Sequence, residues 1–373
     1  MEHIYLDYNA TTPVADEVVD EMLPYFRHRF GNPSSGHWYG EQASKAVAEG
    51  REKVAILLGC DSPEIVFTGG GSEANNHAIK GVAWASRRRG NHIITSGIEH
   101  PAVTNPCRYL ESHGFEITWL PVDEFGMVNP EDVINAITGK TILITIMHAN
   151  NEVGTIQPIA AIGDIARERD IVFHTDAAQS VGKISTRVED LKVDLMTVAG
   201  HKLYGPKGVG VLYVRPGTIV DQFIHGAGHE GGRRAGTENV PGIAGLGKAC
   251  ELAEDELSDR VTGLTGLRDE FFGLLKEKVA DIKLNGHLEE RLPNTLNVSF
   301  PGINAADLLG RTTEVCASTG SACHDNLETI SPVLAAMGVE AERGLAAVRF
   351  SLGRWTTREE LQIAANLIGE RLT

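Results

Sequence analysis

Leu195-Met-Thr-Val-Ala-Gly-His-Lys-Leu-Tyr-Gly-Pro-Lys-Gly-Val-Gly-Val-Leu-Tyr-Val214 decides how this chain is read. Two strand-like apolar runs flank Lys202 with glycine-rich turns between them, which places the lysine at a strand end beside a cleft. Lysine is among the few side chains able to form a Schiff base with an aldehyde cofactor, once burial or a cationic neighbour lowers its pKa. A lone lysine carries little weight, because most are solvated surface charges. Upstream, Asp170-Ile-Val-Phe-His-Thr-Asp-Ala-Ala-Gln179 puts the carboxylate of Asp176 at the end of another apolar run. A lysine for the aldehyde and an acid for a pyridinium nitrogen are the minimum that pyridoxal phosphate chemistry requires.

Working outward, strand-like runs at 65–68, 91–96, 116–120, 141–147, 171–175 and 207–215 alternate with helical patterns at 73–86, 130–136 and 160–168. Continuous apolar strands alternating with helices predict an α/β fold with a mostly parallel sheet covered on both faces. Near residue 240 the pattern changes. Residues 245–278 read as one or two long helices with acidic faces, followed by apolar runs at 292–300 and 349–352 around a loop bearing Cys323. That predicts a smaller α/β domain after the large one.

The 373 residues suffice for two or three domains, and 42% hydrophobic with 23% charged content is ordinary for a soluble protein. A formal charge of −16 argues against a nucleic-acid or anionic-membrane partner, which needs a basic face. Cys60, Cys107, Cys250, Cys316 and Cys323 are odd in number and scattered, with no CxxC pair. They fit reduced cytoplasmic thiols rather than a disulfide framework or a metal site. No signal-peptide pattern opens the chain, and no apolar run reaches the ~18 residues that span a bilayer.

Further motifs carry chemistry. Thr68-Gly-Gly-Gly-Ser-Glu-Ala-Asn-Asn76 links a strand to a helix, so Gly71, Ser72 and the first helical N–H groups can hold a phosphate. Taken alone it serves equally well as a tight capped turn. His100 follows a strand and can stack on a flat ring or exchange protons. Asn151 and Gln179 offer amide donors of the kind a phenolate oxygen accepts. Thr237, in Gly236-Thr-Glu-Asn239, is a second phosphate donor or a helix cap. Cys323 sits among small and polar residues, which suits a reactive thiol. Arg354 ends a strand, where its fork suits a carboxylate.

Tyr5-Leu-Asp-Tyr-Asn-Ala-Thr-Thr-Pro13, Gly31-Asn-Pro-Ser-Ser35, Glu99-His100, Asn150-Asn-Glu152, Asp176-Ala-Ala-Gln179, Gly200-His-Lys202, Gly236-Thr-Glu-Asn239 and Gly320-Ser-Ala-Cys323 closely resemble the cysteine desulfurases. These and the selenocysteine lyases belong to the class V aminotransferase superfamily. The resemblance spans about residues 3–372, with the motifs in order. It implies pyridoxal phosphate fold-type I: a seven-stranded large domain over 15–240 with a helical connection to about 260, and a small domain made of 1–14 and 261–373. It also implies a homodimer in which Thr237 reaches the partner's cofactor phosphate. Residue by residue, it implies that Lys202 holds the aldehyde and removes the substrate Cα proton, while Asp176 meets the ring nitrogen. His100 would stack on the ring, Gln179 and Asn151 would lie by its hydroxyl, and Ser72 and His201 would bind phosphate. Asn32 and Arg354 would hold the substrate carboxylate, and Cys323 would take the sulfur as a persulfide.

The expected reaction converts L-cysteine to L-alanine and passes sulfur to an acceptor or scaffold protein, as in iron–sulfur cluster assembly. The chain departs from the common pattern at Ala199, where many desulfurases carry serine, and at Cys323-His-Asp-Asn326. The latter stretch looks rather like the selenocysteine lyases, so release of selenium from L-selenocysteine is the alternative. An inactive scaffold that docks a sulfur acceptor is a third reading, disfavoured by the joint presence of Lys202, Asp176 and Cys323. An ordinary aminotransferase would leave the Cys323 loop without a purpose.

Overall fold

The computed structural model describes residues 3–319 and 329–372. Among them the strands are β1 (Ile4–Tyr5), β2 (Ile65–Thr68), β3 (His92–Ser96), β4 (Glu116–Leu120), β5 (Thr141–Thr145), β6 (Val172–Asp176), β7 (Leu195–Ala199), β8 (Gly210–Val214), β9 (Lys283–Asn285), β10 (Thr295–Ser299), β11 (Val315–Cys316) and β12 (Ala347–Ser351). Seven form one sheet in the order β2-β8-β7-β6-β5-β3-β4. From β7 to β4 every neighbouring pair is parallel, and β8 runs antiparallel to both β7 and β2.

The aliphatic strands form here because both of their faces are covered. Val66, Ile93, Leu143, Leu195 and Leu212 pack with the helices Gly71–Ala85 and Pro101–Glu111. Their sequence neighbours Phe67, Ile94, Ile144, Met196 and Val211 share a core with the helices Trp38–Leu58 and Ile159–Glu168 and the first half of Val240–Lys278. Side chains of adjacent strand residues point to opposite faces, so two apolar neighbours require two covering layers.

A second core joins Ile4 and Leu6 to Phe271, Leu275, Leu296, Val298, Phe300, Val348, Phe350 and Ile368. It carries the antiparallel sheet β12-β10-β9 and the parallel pair β1-β11. The helix Val240–Lys278 serves both cores, through Ile243, Leu246 and Ala249 at one end and Leu264, Phe271 and Leu275 at the other. It is a single helix of 39 residues and begins before position 245, because the Asn239 side chain accepts the Gly242 N–H and Pro241 sits in its first turn. It meets the helix Trp38–Leu58 through glycines: a Cβ on Gly247 would lie 2.7 Å from the Gly50 Cα. The run expected as a strand to 147 stops at Thr145, and the Met147 N–H is donated to the Glu99 carboxylate instead. No described helix is long and apolar enough to cross a membrane. Among the described residues, no group of three or more His, Cys, Asp or Glu side chains gathers as metal ligands.

Candidate active site

A cavity of about 730 Å³ opens at the edge where the parallel strands end, the position where α/β sheets bind ligands. Each strand delivers part of its lining. Strand β6 ends on Asp176, and β7 runs into the tight turn Gly200–Lys202. The loop after β3 brings His100, that after β5 brings Met147, Ala149 and Asn151, and that after β2 brings Gly69, Gly70, Gly71 and Ser72. Strand β8, running the other way, contributes Lys207, Gly208 and Val209 just before its first residue. Parallel topology thereby collects residues that lie more than a hundred positions apart.

Lys202 is half-buried, and its Nζ donates to the backbone carbonyls of Asn9 (2.6 Å) and Ala10 (2.7 Å). Burial, and then the nearby Arg349 guanidinium, lower its pKa to about 8, against the pull of Asp7 and Asp176. Asp176 is buried and held by two donors, Asn75 Nδ2 at 2.6 Å and the Ala178 N–H at 2.9 Å. His100 caps the helix Pro101–Glu111, its Nδ1 accepting the Ala102 N–H at 3.1 Å, so the ring proton belongs on Nε2. Desolvation lowers the His100 pKa, Asp176 opposes that and Lys202 adds to it, so the ring is neutral at pH 7. The His201 pKa is lowered to about 4 by desolvation and by Lys202 and Lys207. Gln179 is buried and donates its Nε2 to the Asn9 carbonyl at 3.0 Å.

At the other end of the cavity, the helix Gly71–Ala85 presents the N–H groups of its first turn, which have no partner within the helix. Gly70 turns into that helix at φ +146°, a conformation that side chains disfavour. Strand β8 approaches closely there: a Cβ on Gly210 would lie 2.7 Å from the Gly70 carbonyl carbon. Glu73 fixes the turn by accepting the Gly69 N–H at 2.7 Å, and its carboxylate pairs with Arg234. Ser72, His201 and Lys207 line the same end.

Gly71, Ser72, His100, Asn151, Asp176, Gln179, His201 and Lys202 thus share one cavity. Three expected residues lie elsewhere. Asn32 and Thr237 are exposed and line a separate cavity of about 280 Å³ together with Tyr25, Phe30 and Pro241. Arg354, expected to clasp the substrate carboxylate, holds the protein's own acids instead: its NH2 donates to Glu17 at 3.1 Å and Glu256 at 2.9 Å. The arginine in the cavity is Arg349, buried, with NH1 on the Asn151 carbonyl and NH2 on Asp7 at 2.7 Å. Its Nε has no partner among the described residues. Arg349 lies on β12 between Val348 and Phe350, both in the second core, so strand alternation turns it the other way. That period-two signal was available in the sequence. Asn9, Asn75 and Lys207 also belong to the site; each stands in a stretch quoted above, but none was singled out there. Cys323 and His324 lie outside the described residues.

Comparison with known proteins agrees with this geometry. The chain is similar to the cysteine desulfurase IscS of Dictyoglomus turgidum, 49% identical over 98% of this chain and 93% of that protein. Among solved structures it is similar to a NifS-like protein, with 38% identity, a TM-score of 0.93 and 99% of each chain covered. It is also similar to SspA solved in complex with cysteine, with 41% identity, a TM-score of 0.85, and 95% of this chain and 99% of that one covered. The aminotransferase class-V pattern matches residues 4–363. With its lysine, acid and glycine loop gathered at one sheet edge, the chain belongs to the cysteine desulfurase family of the class V aminotransferases.

Proposed function

We propose that the protein is a pyridoxal-phosphate-dependent cysteine desulfurase that converts L-cysteine to L-alanine and moves the sulfur onto Cys323 as a persulfide. The observation that carries this reading is the placement of Lys202, Asp176 and Arg349 on one cavity. The donor set fits the cofactor. One end offers a helix N-terminus, Ser72, His201 and Lys207 for a phosphate, and the middle offers a buried carboxylate for a ring nitrogen. Gly71, Ser72 and His201 would hold the phosphate, Asp176 the ring nitrogen, His100 the ring face, and Gln179 with Asn151 the ring oxygen. When bound, the cofactor supplies an aldehyde for the substrate amine and a ring that draws electrons from the substrate Cα.

The chain's own residues do the rest. Arg349 seats the substrate carboxylate with the N–H groups that Asn151 and Asp7 leave free, taking the role expected of Arg354. Lys202, with a pKa near 8, is partly an unprotonated amine at neutral pH and removes the Cα proton. Neutral His100 carries a proton on Nε2 within the same cavity. The thiolate of Cys323 attacks the substrate sulfur; the S–Cβ bond breaks, and a proton delivered to Cβ completes alanine. Atoms balance, since one thiol gains the sulfur that cysteine loses.

The protein works as a homodimer, with Thr237 serving the partner's phosphate. Its position in a separate exposed cavity beside Asn32 supports that role over one in its own site. A sulfur-acceptor protein receives the persulfide. The setting is the cytoplasm, a reading supported by the free thiols Cys60, Cys107, Cys250 and Cys316. The named relatives favour desulfuration over the selenocysteine lyase and silent-scaffold readings.

The test follows alanine from L-cysteine and L-selenocysteine side by side. The wild type is expected to turn over cysteine and carry trapped persulfide on Cys323. Cys323→Ala should keep the cofactor and lose at least about a hundredfold in sulfide release, the scale on which removal of a nucleophile acts. Turnover of selenocysteine alone would overturn the proposal in favour of the lyase.

A further inference from the structure

Behind the cavity lies Lys183, 6% exposed, with no described carboxylate in ion-pairing range. A lysine so deeply buried without an acid is costly. Its Nζ donates to Gln179 Oε1 at 2.9 Å and to Asn9 Oδ1 at 3.1 Å. Both acceptors belong to residues that touch Lys202 or the cavity.

The Lys183 amino group donates to both of these atoms, and in doing so it settles which way two amides face. The Gln179 atom beside Lys183 must be oxygen, which leaves Nε2 at the other end of that amide. Nε2 gives one N–H to the Asn9 carbonyl and keeps a second. The Asn9 atom facing Lys183 must likewise be oxygen, since Asn294 Nδ2 also donates to it at 3.0 Å. Asn9 Nδ2 then reaches Thr295 Oγ1 and the Asn151 carbonyl. The backbone carbonyl of the same Asn9 accepts from both Gln179 and Lys202. One buried amine therefore orients the whole inner wall.

We infer that Lys183 is a positioning residue for the reaction: it holds Gln179 with an N–H toward the cofactor's ring oxygen and holds the Asn9 carbonyl against Lys202. This rests on the pyridoxal phosphate reading above. Burial, then Lys202 and Arg349, lower the Lys183 pKa well below that of a free lysine, which fits an amine acting as donor rather than as counter-ion. The other charged groups around this wall are Asp7 and Asp176, both acting on Lys202. His100 lies on the same cavity.

The test reads the pH at which the visible absorption band of the cofactor-loaded protein titrates, in wild type, Lys183→Met, Gln179→Leu and the double variant. Losing the Gln179 donor favours retention of the proton by the bound group. Lys183→Met is therefore expected to move the midpoint up by roughly one unit and to lower kcat about tenfold, with KM for cysteine within about twofold. Gln179→Leu should move it the same way, and adding Lys183→Met to Gln179→Leu should add little. A midpoint unchanged in Lys183→Met overturns the proposal, as do additive shifts in the double variant, which would mean an effect independent of Gln179. If Lys183→Met does not fold, an unshifted Gln179→Leu overturns it just as well. A wild type that takes up no cofactor would instead sink the reading of the cavity itself.

Discussion

Arg349 and Arg354 stand five positions apart and do different work. Arg349 faces the cavity with Asp7 and Asn151 behind it, whereas Arg354 joins Glu17 to Glu256. Arg349→Gln is expected to raise KM for cysteine by about a hundredfold, the cost of losing a charge-assisted carboxylate contact. Arg354→Gln should leave KM near wild type and lower the melting temperature by a few degrees. Glu99 gives a test by pH. It is buried, accepts from Ser96 Oγ and the Met147 N–H, and burial raises its pKa to about 8. Because that value lies above the unfolded one, the folded state holds the extra proton, and stability falls as pH rises from about 4.5 to 8. Glu99→Gln removes this dependence. Thermal melts should show the variant gaining on wild type as pH increases, and equal slopes would refute the assignment. The motif Glu99-His100 was legible as chemistry, yet the role of the glutamate was not. Only the fold shows that it ties the loop after β3 to the loop after β5.

Elements fix where such residues can stand. Lys202 follows β7 through a tight turn, and Tyr204, two positions on, adopts a left-handed φ of +67°. That conformation is uncommon outside glycine and is held by the Tyr204 N–H on Thr12 Oγ1 and by the Arg354 N–H on the Tyr204 hydroxyl. The opposite wall depends on β8. Gly210→Ala would drive a methyl group into the backbone of Gly70 and displace the glycine turn. Cofactor affinity, measured by fluorescence titration, should fall about tenfold or more, as for strain of one to three kcal/mol. Unchanged affinity would show that the turn does not hold the phosphate. The strands of this sheet were legible because continuous apolar runs announce two covered faces. The helix Trp38–Leu58 was not read, since its apolar positions are interrupted by small residues such as Ala43, Ala46 and Gly50, nor was Asp16–Arg27, which carries Pro24 inside it.

For the whole molecule, two cores share one long helix, and the second core reaches the site. Strand β10 and the residue before it supply Thr295 and Asn294, which hold Asn9 beneath Lys202. Damage far from the cavity should therefore be felt in it. Leu275→Ala, in the second core, is expected to cost about 2–5 kcal/mol of stability and to weaken cofactor retention, with calorimetry and absorbance reporting the two effects. Full retention in a destabilised variant would show that the cores act separately. The sequence divided the chain into a large and a small unit by a change of pattern near 240. The shared helix was less legible, because helical periodicity shows that a segment is buried without showing which neighbours bury it.

Residues 8–15 lie across the Lys202 turn, stitched to it by Thr12 and Ala15, while Arg349 arrives from far down the chain. Translation runs in one direction, so the glycine turn, Asp176 and Lys202 leave the ribosome well before Arg349. Strand β1 must also wait for β11. On the proposed reading, an unfinished chain would carry the residues for the cofactor without the Arg349 anchor for a substrate carboxylate, so substrate binding would be deferred until β12 has been made.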